Sequence, residues 1–234
     1  MKKFLTHIIQ KMNNSGIYKI LISKIRYTLN KMLNNFQKFP TYGFRYQKEL
    51  ISTEDPIRYT SVGLAIQTIK RDGIRGSFAE VGVYKGHTSR IIHLLAPKKK
   101  LFLFDTFEGF PKTQRDDSDE RFQDTTTSIL KKNIGDLENI VIRKGIFPIS
   151  SKGLENENFA FVMIDLDKYE PTLKALSYFY PKIQSGGYIF IHDYNNPQES
   201  NGAVNKAVIN FCENIPEKLI EIPDKWGTVI IRKN

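Results

Sequence analysis

The chain has 234 residues, 40% hydrophobic and 26% charged, which suits one globular α/β domain with an appendage better than two domains. Its net charge of +10 sits before Glu49, where Lys2, Lys3, Lys11, Lys19, Lys24, Arg26, Lys31, Lys38, Arg45 and Lys48 meet no acidic residue; a basic nucleic-acid surface on the body is therefore not expected. Cys212 is the only cysteine, which excludes an intrachain disulfide. No apolar run reaches signal-peptide length or the ~20 residues of a membrane span, so the protein is expected in the cytoplasm.

Phe4, Leu5, Ile8, Ile9 and Met12 recur at helical spacing before a break at Asn13–Gly16. A second stripe follows, with Tyr18, Leu21, Ile22, Ile25, Leu29, Met32, Leu33 and Phe36 on one face. It is expected to pack on the body or on another subunit, making a homodimer or higher homo-oligomer, with contact to an anionic membrane surface as the alternative. Pro40 to Thr53 reads as a loop carrying Tyr42, Phe44 and Tyr46. Asp55-Pro56 then supplies an N-cap and a first-turn proline for a helix ending at Asp72-Gly73.

From Phe78 on, short apolar strands alternate with helices. Strands are predicted at Phe78–Val83, Leu101–Phe104, Ile140–Ile142, Ala160–Ile164, Tyr188–Ile191, Leu219–Ile222 and Thr228–Ile231. Helices are predicted at His87–Leu95, Glu120–Lys132, Pro171–Tyr180 and Ala203–Glu213. Such alternation argues a parallel sheet covered on both faces, and the last two strands read as an antiparallel hairpin at one edge. The polar segment Thr113–Thr127 reads as a mobile loop. The division expected is a basic helical extension with its loop over 1–48 and a catalytic domain over 49–234.

Chemistry gathers at four strand ends. Glu80-Val81-Gly82-Val83-Tyr84-Lys85-Gly86, followed by His87-Thr88-Ser89, is a strand, a glycine turn and a helix start. Such a turn brings backbone N–H groups close to a ligand, and Glu80 suits a cationic ammonium group. The spacing is not G-x-G-x-x-G, which weakens a nicotinamide reading. Asp105, 19 positions after Gly86, stands where a carboxylate meets ribose hydroxyls. Phe104 and Phe107 offer apolar surface to an adenine ring. Asp165-Leu166-Asp167-Lys168-Tyr169 and His192-Asp193-Tyr194-Asn195 end two further strands. Asp165, His192 and Asp193 can supply two carboxylates and one nitrogen to a divalent cation.

These motifs resemble the macrocin O-methyltransferase family (TylF, MycF and NovP relatives). The resemblance is carried by the Glu80–Gly86 turn, Asp105-Thr106-Phe107-Glu108-Gly109-Phe110-Pro111, Asp165-x-Asp167-x-Tyr169, Gly186-Gly187-Tyr188-Ile189-Phe190-Ile191-His192-Asp193-Tyr194 and Gly202-Ala203-x-x-Lys206-Ala207. It covers about residues 50 to 232. It implies a Rossmann-like class I methyltransferase fold, a mostly parallel seven-stranded sheet with helices on both faces plus the N-terminal helical extension, and S-adenosylmethionine (SAM) as donor. The donor site is then Glu80, Gly82, Tyr84, Gly86, Thr88, Ser89, Asp105, Thr106 and Phe107. Asp165, His192 and Asp193 become ligands of Mg2+ or Mn2+, and Asp167 a candidate base. Two departures stand out: the family pattern has two aspartates where this chain has His192-Asp193, and an arginine at Met163. Imidazole favours softer divalent ions than carboxylate does, so either the metal preference changes or His192 is itself the base.

The expected reaction is O-methylation of a sugar hydroxyl on a nucleotide sugar, surface glycan or glycosylated natural product, by in-line displacement at a sulfonium. Rival readings are an N-methyltransferase for an amino sugar or small amine, a nicotinamide-dependent sugar-modifying enzyme, and a non-catalytic protein bound to a membrane surface. The last leaves four polar clusters at one sheet edge unexplained.

Overall fold

The structure, a computed structural model, describes residues 24–25, 27–29, 32, 49–114, 119–196 and 202–234. Expectations for the first stripe, for most of the second and for residues 40–48 of the predicted Pro40–Thr53 loop lie outside these residues, and residues 49–51 of that loop are helical instead. Lys24, Ile25, Tyr27, Thr28, Leu29 and Met32 are helical as the spacing predicts. Ile25, Leu29 and Met32 are 47%, 55% and 61% exposed, so these three do not pack on the body. No helix among the described residues is long and apolar enough to cross a membrane.

Helix α1 (Pro56–Arg71) starts as read: the Asp55 carboxylate accepts the Arg58 N–H and Pro56 occupies the first turn. Then follow β1 (Ser77–Val81), α2 (His87–Leu95), β2 (Leu101–Asp105), α3 (Thr127–Ile134), β3 (Ile140–Lys144), β4 (Phe159–Ile164), α4 (Tyr169–Phe179), β5 (Ile183–Ile191), α5 (Ala203–Cys212), β6 (Ile220–Ile222) and β7 (Thr228–Arg232). The strands form one seven-stranded sheet in the order β3-β2-β1-β4-β5-β7-β6. The first five are parallel; β7 runs antiparallel between β5 and β6. The closing hairpin is therefore present, with its second strand facing inward.

Two apolar clusters explain why the strands read as continuous hydrophobic runs. On one face α1, α2 and α3 cover Phe78, Leu101, Leu103, Phe161 and Phe190. On the other α4 and α5 cover Phe102, Phe104, Val162, Ile164, Ile189 and Val229. Both faces are dry, so alternation is lost. A register shift between Phe159 and Phe161 turns Ala160 and Phe161 to the same side. Met163 is fully buried in the first cluster.

Two predicted elements needed correcting. The helix placed at Glu120–Lys132 begins only at Thr127, capped by the Thr126 hydroxyl. Phe122 has φ 62°, a left-handed conformation that no α-helix admits; it aims its ring at Tyr84 and Phe110, with ring centroids 5.2 and 5.4 Å apart. Strand β5 starts at Ile183 rather than Tyr188. The polar Gln184–Gly187 stretch reads as a loop, yet it pairs with the chain's end through Gly186 N to Lys233 O (2.8 Å) and Lys233 N to Gly187 O (2.9 Å).

Candidate functional site

The parallel ladder carries the four strand ends to one edge. Gly82 N donates to Phe104 O, Asp165 N to Val81 O and His192 N to Ile164 O, each at 2.9 Å. Gly82 has φ +83°, and a Cβ there would stand 1.8 Å from the Asp165 carbonyl oxygen. The turn after β1 thus lies directly on the end of β4. At Gly86, which caps α2 with φ +79°, a Cβ would fall 2.3 Å from Leu130 Cδ1 of α3. Its glycine answers to helix packing, and Gly86 does not line the cavity described next.

A cavity of about 580 Å³ runs along this edge, within the size range of small-molecule sites. Ile146 and Phe147, just after β3, line its apolar end, and Phe110 lies under Lys168 beside Phe122. Asp105 and Thr106 follow at the tip of β2, then Glu80, Gly82, Tyr84 and Thr88, and finally Arg58, Tyr59, Asp165 and Asp167 at the β1–β4 end. Asp105 Oδ2 accepts the Val83 and Tyr84 N–H groups (2.7 and 2.8 Å), and Oδ1 accepts that of Phe107 (2.6 Å). A carboxylate has about four acceptor positions, so bracing the glycine turn leaves little of it for a ribose. Phe104 and Phe107 require correction: both rings are buried in the two core clusters, and the apolar surface comes from Ile146 and Phe147. Ser89 is also off the cavity wall; its hydroxyl donates to Glu80. Glu80 is 2% exposed, and burial pushes its carboxyl up to about 8 against the pull of the Ser89 hydrogen bond.

Arg58, Tyr59 and Ile146 escaped the sequence reading. The signal for Arg58 was an arginine in the first turn of a helix, where the macrodipole disfavours a cation; such a residue needs another reason to be there. Ile146 carries no polar marker at all.

The acidic cluster closes the far end. His192 Nδ1 lies 3.2 Å from Asp165 Oδ1 and 3.0 Å from Asp193 Oδ2. Asn196 Nδ2 donates to Asp193 Oδ1 (2.8 Å), and Asp167 hydrogen-bonds Asp193 as well. Burial works against a charged His192, but the Asp165 and Asp193 carboxylates outweigh it and push the imidazole up to about 10. Asp193, despite burial, is held down at about 2, chiefly by His192. One ligand atom from each of Asp165, His192 and Asp193 lies within 4.8 Å of the others. Magnesium bonds of about 2.1 Å at right angles put neighbouring ligand atoms about 3.0 Å apart, so the donor spacing fits a divalent cation, which would have to displace the imidazole proton. His192 Nε2 is buried with no partner, so the ring lacks the outer hydrogen bond usual for a ligating histidine. Of the cluster only Asp165 and Asp167 reach the cavity wall; His192 and Asp193 stand behind them. Tyr84, Phe107, Asp167 and Asp193 all have φ between 50° and 60°, a concentration of backbone strain at this edge.

Residues 119–126 strap the cavity from outside. Tyr84 Oη donates to Asp124 Oδ1 (2.6 Å), Lys85 pairs with the other Asp124 oxygen, and Lys168 Nζ reaches Asp119 Oδ2 (3.1 Å). Residues 115–118 of the predicted Thr113–Thr127 loop, and residues 197–201, lie outside the described residues.

Residues 56–233 match the family model described as Macrocin-O-methyltransferase (TylF). The 8-demethyl-8-(2,3-dimethoxy-alpha-L-rhamnosyl)-tetracenomycin-C 4'-O-methyltransferase of Streptomyces olivaceus is 25% identical over 202 residues, covering 71% of this chain and 77% of that protein. The Mycinamicin III 3''-O-methyltransferase of Micromonospora griseorubida is 25% identical over 193 residues, covering 73% and 74%. Among solved structures, the O-methyltransferase NovP superposes with a TM-score of 0.65 at 19% identity, covering 94% of this chain and all of that one. The calicheamicin methyltransferase CalS11 gives 0.60 at 19%, covering 89% and 91%. At such identities these two likenesses speak for the fold.

Proposed function

The chain belongs to the macrocin O-methyltransferase family and is a SAM-dependent methyltransferase; from that premise we propose that its acceptor is a hydroxyl of a sugar, free, nucleotide-linked or carried on a larger molecule. The rhamnosyl group in the name of the Streptomyces relative supports the sugar. The observation that carries the mechanism is the graded cavity, apolar at β3 and charged at β4, with Asp165 and Asp167 together on the wall at its charged end.

SAM, when bound, supplies a methyl group made electrophilic by a positively charged sulfur. Asp105 fixes the glycine turn, and through it the Val83–Tyr84 backbone against which a ribose rests. Glu80 loses its proton to become the counter-charge of the methionine ammonium. Asp167 first releases to solvent the proton it shares with Asp193; the acceptor oxygen then attacks the methyl carbon in line with the breaking C–S bond, whose electrons stay on sulfur, and its proton passes to the ionised Asp167. His192 is the weaker of the two bases considered, because Nδ1 is engaged by two carboxylates and the ring does not line the cavity. It holds Asp165 and Asp193 in place instead. A divalent cation on Asp165, His192 and Asp193 would add acidity to the acceptor hydroxyl. The reading places the enzyme in the cytoplasm, which its lone Cys212 accommodates.

Incubation with methyl-labelled SAM and a panel of nucleotide sugars, glycosides and amino sugars tests this. A methyl ether on a sugar oxygen is expected; a methylated amine as the main product would overturn the choice of acceptor. Asp167→Asn should lower kcat by about 10²–10⁴-fold and leave binding of S-adenosylhomocysteine (SAH) unchanged.

A further inference from the structure

The Arg58 guanidinium is a buried cation with too few partners. Arg58 is 8% exposed and lines the β1–β4 end of the cavity. Its Nη2 donates to Tyr59 Oη (3.0 Å), while Nη1 stands 3.9 Å from Asp165 Oδ2, beyond hydrogen-bonding reach. Nε is buried with no partner at all. A guanidinium carries five N–H donors in a planar fork shaped for a carboxylate, and leaving such donors dry and unpaired is costly. Holding it costs the helix as well, because the cation sits in the first turn of α1.

The site is polarised along its length. Strand ends lie about 4.8 Å apart, so the row β3-β2-β1-β4 spans roughly 14 Å, the scale of an extended nucleoside joined to an amino acid. The β3 end offers Ile146 and Phe147; the other offers Arg58, Glu80 and Asp165, with Tyr59 Oη and Thr88 Oγ1 joined at 3.1 Å. A nucleobase fits the first end and a zwitterion the second. Glu80 answers to the ammonium group, and Arg58, with its buried unpaired Nε, answers to the carboxylate.

We propose that Arg58, braced by Tyr59 and Thr88, is the receptor for the α-carboxylate of the methionine moiety, and so discriminates ligands that carry the amino-acid group from those that carry only the nucleoside. The inference rests on the chain's use of SAM and deepens it. Arg58 thereby also sets how far along the cavity the sulfur lies relative to Asp165 and Asp167.

The test is binding, read by calorimetry without turnover. Two probes are compared: SAH, which has the amino-acid group, and 5′-methylthioadenosine, which lacks it. Arg58→Gln should weaken SAH by about 10- to 100-fold, the scale of lost hydrogen bonds to a charged group, and change 5′-methylthioadenosine by less than about 3-fold, since both bury the same nucleoside. Equal losses for both probes, or no loss for either, would overturn the assignment while SAH still bound the unmodified chain. Decarboxylated SAM on the unmodified chain needs no folded variant. It should bind at least about 10-fold more weakly than SAM, and equal affinity would overturn the carboxylate receptor. Failure of the unmodified chain to bind SAH at all would overturn the donor reading and this assignment together.

Discussion

Glu80 shows how a single buried carboxyl couples stability to ligand binding. Its pKa rises from 4.5 to about 8 on folding, so between those values the folded chain keeps a proton that the unfolded chain has released. The stability contribution is complete below 4.5, falls as pH climbs to 8 and is flat beyond. Glu80→Gln should therefore raise the melting temperature at pH 8 and change it little at pH 5, while weakening SAH binding. Thermal melts at the two pH values check this, and a gain equal at both would refute burial as the cause. His192 acts in the same direction over a later window: its pKa is raised from 6.5 to about 10, so its contribution is full below 6.5 and lost as pH passes 10. A cation held by Asp165, His192 and Asp193 would compete with that same proton; if one is held there, chelation abolishes turnover, manganese restores it at least as well as magnesium, and His192→Asp moves the preference towards magnesium. Full activity in chelator, with protein shown to be metal-free, would remove the cation from the mechanism. The charged residues Glu80, Asp105, Asp165 and Asp167 were legible because a charge at the end of an apolar strand has few structural uses. Phe107 was misplaced because a ring next to the site in sequence can turn into the core, and nothing in its type says which way.

Helices and strands were legible wherever burial alone set the pattern, as in β1, β2, β4 and α2. Boundaries failed where backbone geometry, rather than side-chain polarity, decided the outcome. Residues 120–126 have an acceptable helical composition, but Phe122 adopts left-handed φ to fasten the strap onto Tyr84. Gln184–Gly187 has a loop's composition, but pairing with Lys233 makes it strand. Glycine turns show the same split between meaning and appearance. Gly82 and Gly135 both have φ +83°, yet a Cβ at Gly82 collides with the Asp165 carbonyl, whereas nothing lies within 4 Å of one at Gly135. Gly135→Ala should cost only backbone strain, about 1–3 kcal/mol. Gly82→Ala should cost more, because the obstacle is backbone of β4's own end, and should abolish SAH binding. Chemical denaturation of both variants with a parallel calorimetric titration separates the two effects; equal stability losses would mean that the β1 turn and β4 are not in close contact.

At the scale of the molecule, the exposed Ile25, Leu29 and Met32 leave an apolar helical face without a partner on the catalytic body. Together with ten basic charges before Glu49, that face suits a second copy or an anionic surface. Deleting the first 36 residues is expected to change the oligomeric state seen by light scattering after size exclusion. A truncated protein that keeps its assembly and loses only vesicle binding would favour the membrane surface. The catalytic body has its own constraint of scale, set by β7, which fills an interior slot of the sheet while standing last in sequence. Translation delivers β5 and β6 first, and among the described pairings β6 has no neighbour except β7. A nascent chain halted between Ile222 and Thr228 carries an open strand edge on β5 and an unpaired β6, the arrangement that invites edge-to-edge aggregation. The five parallel strands can pair without β7, but the antiparallel edge of the sheet forms only once β7 has inserted between β5 and β6.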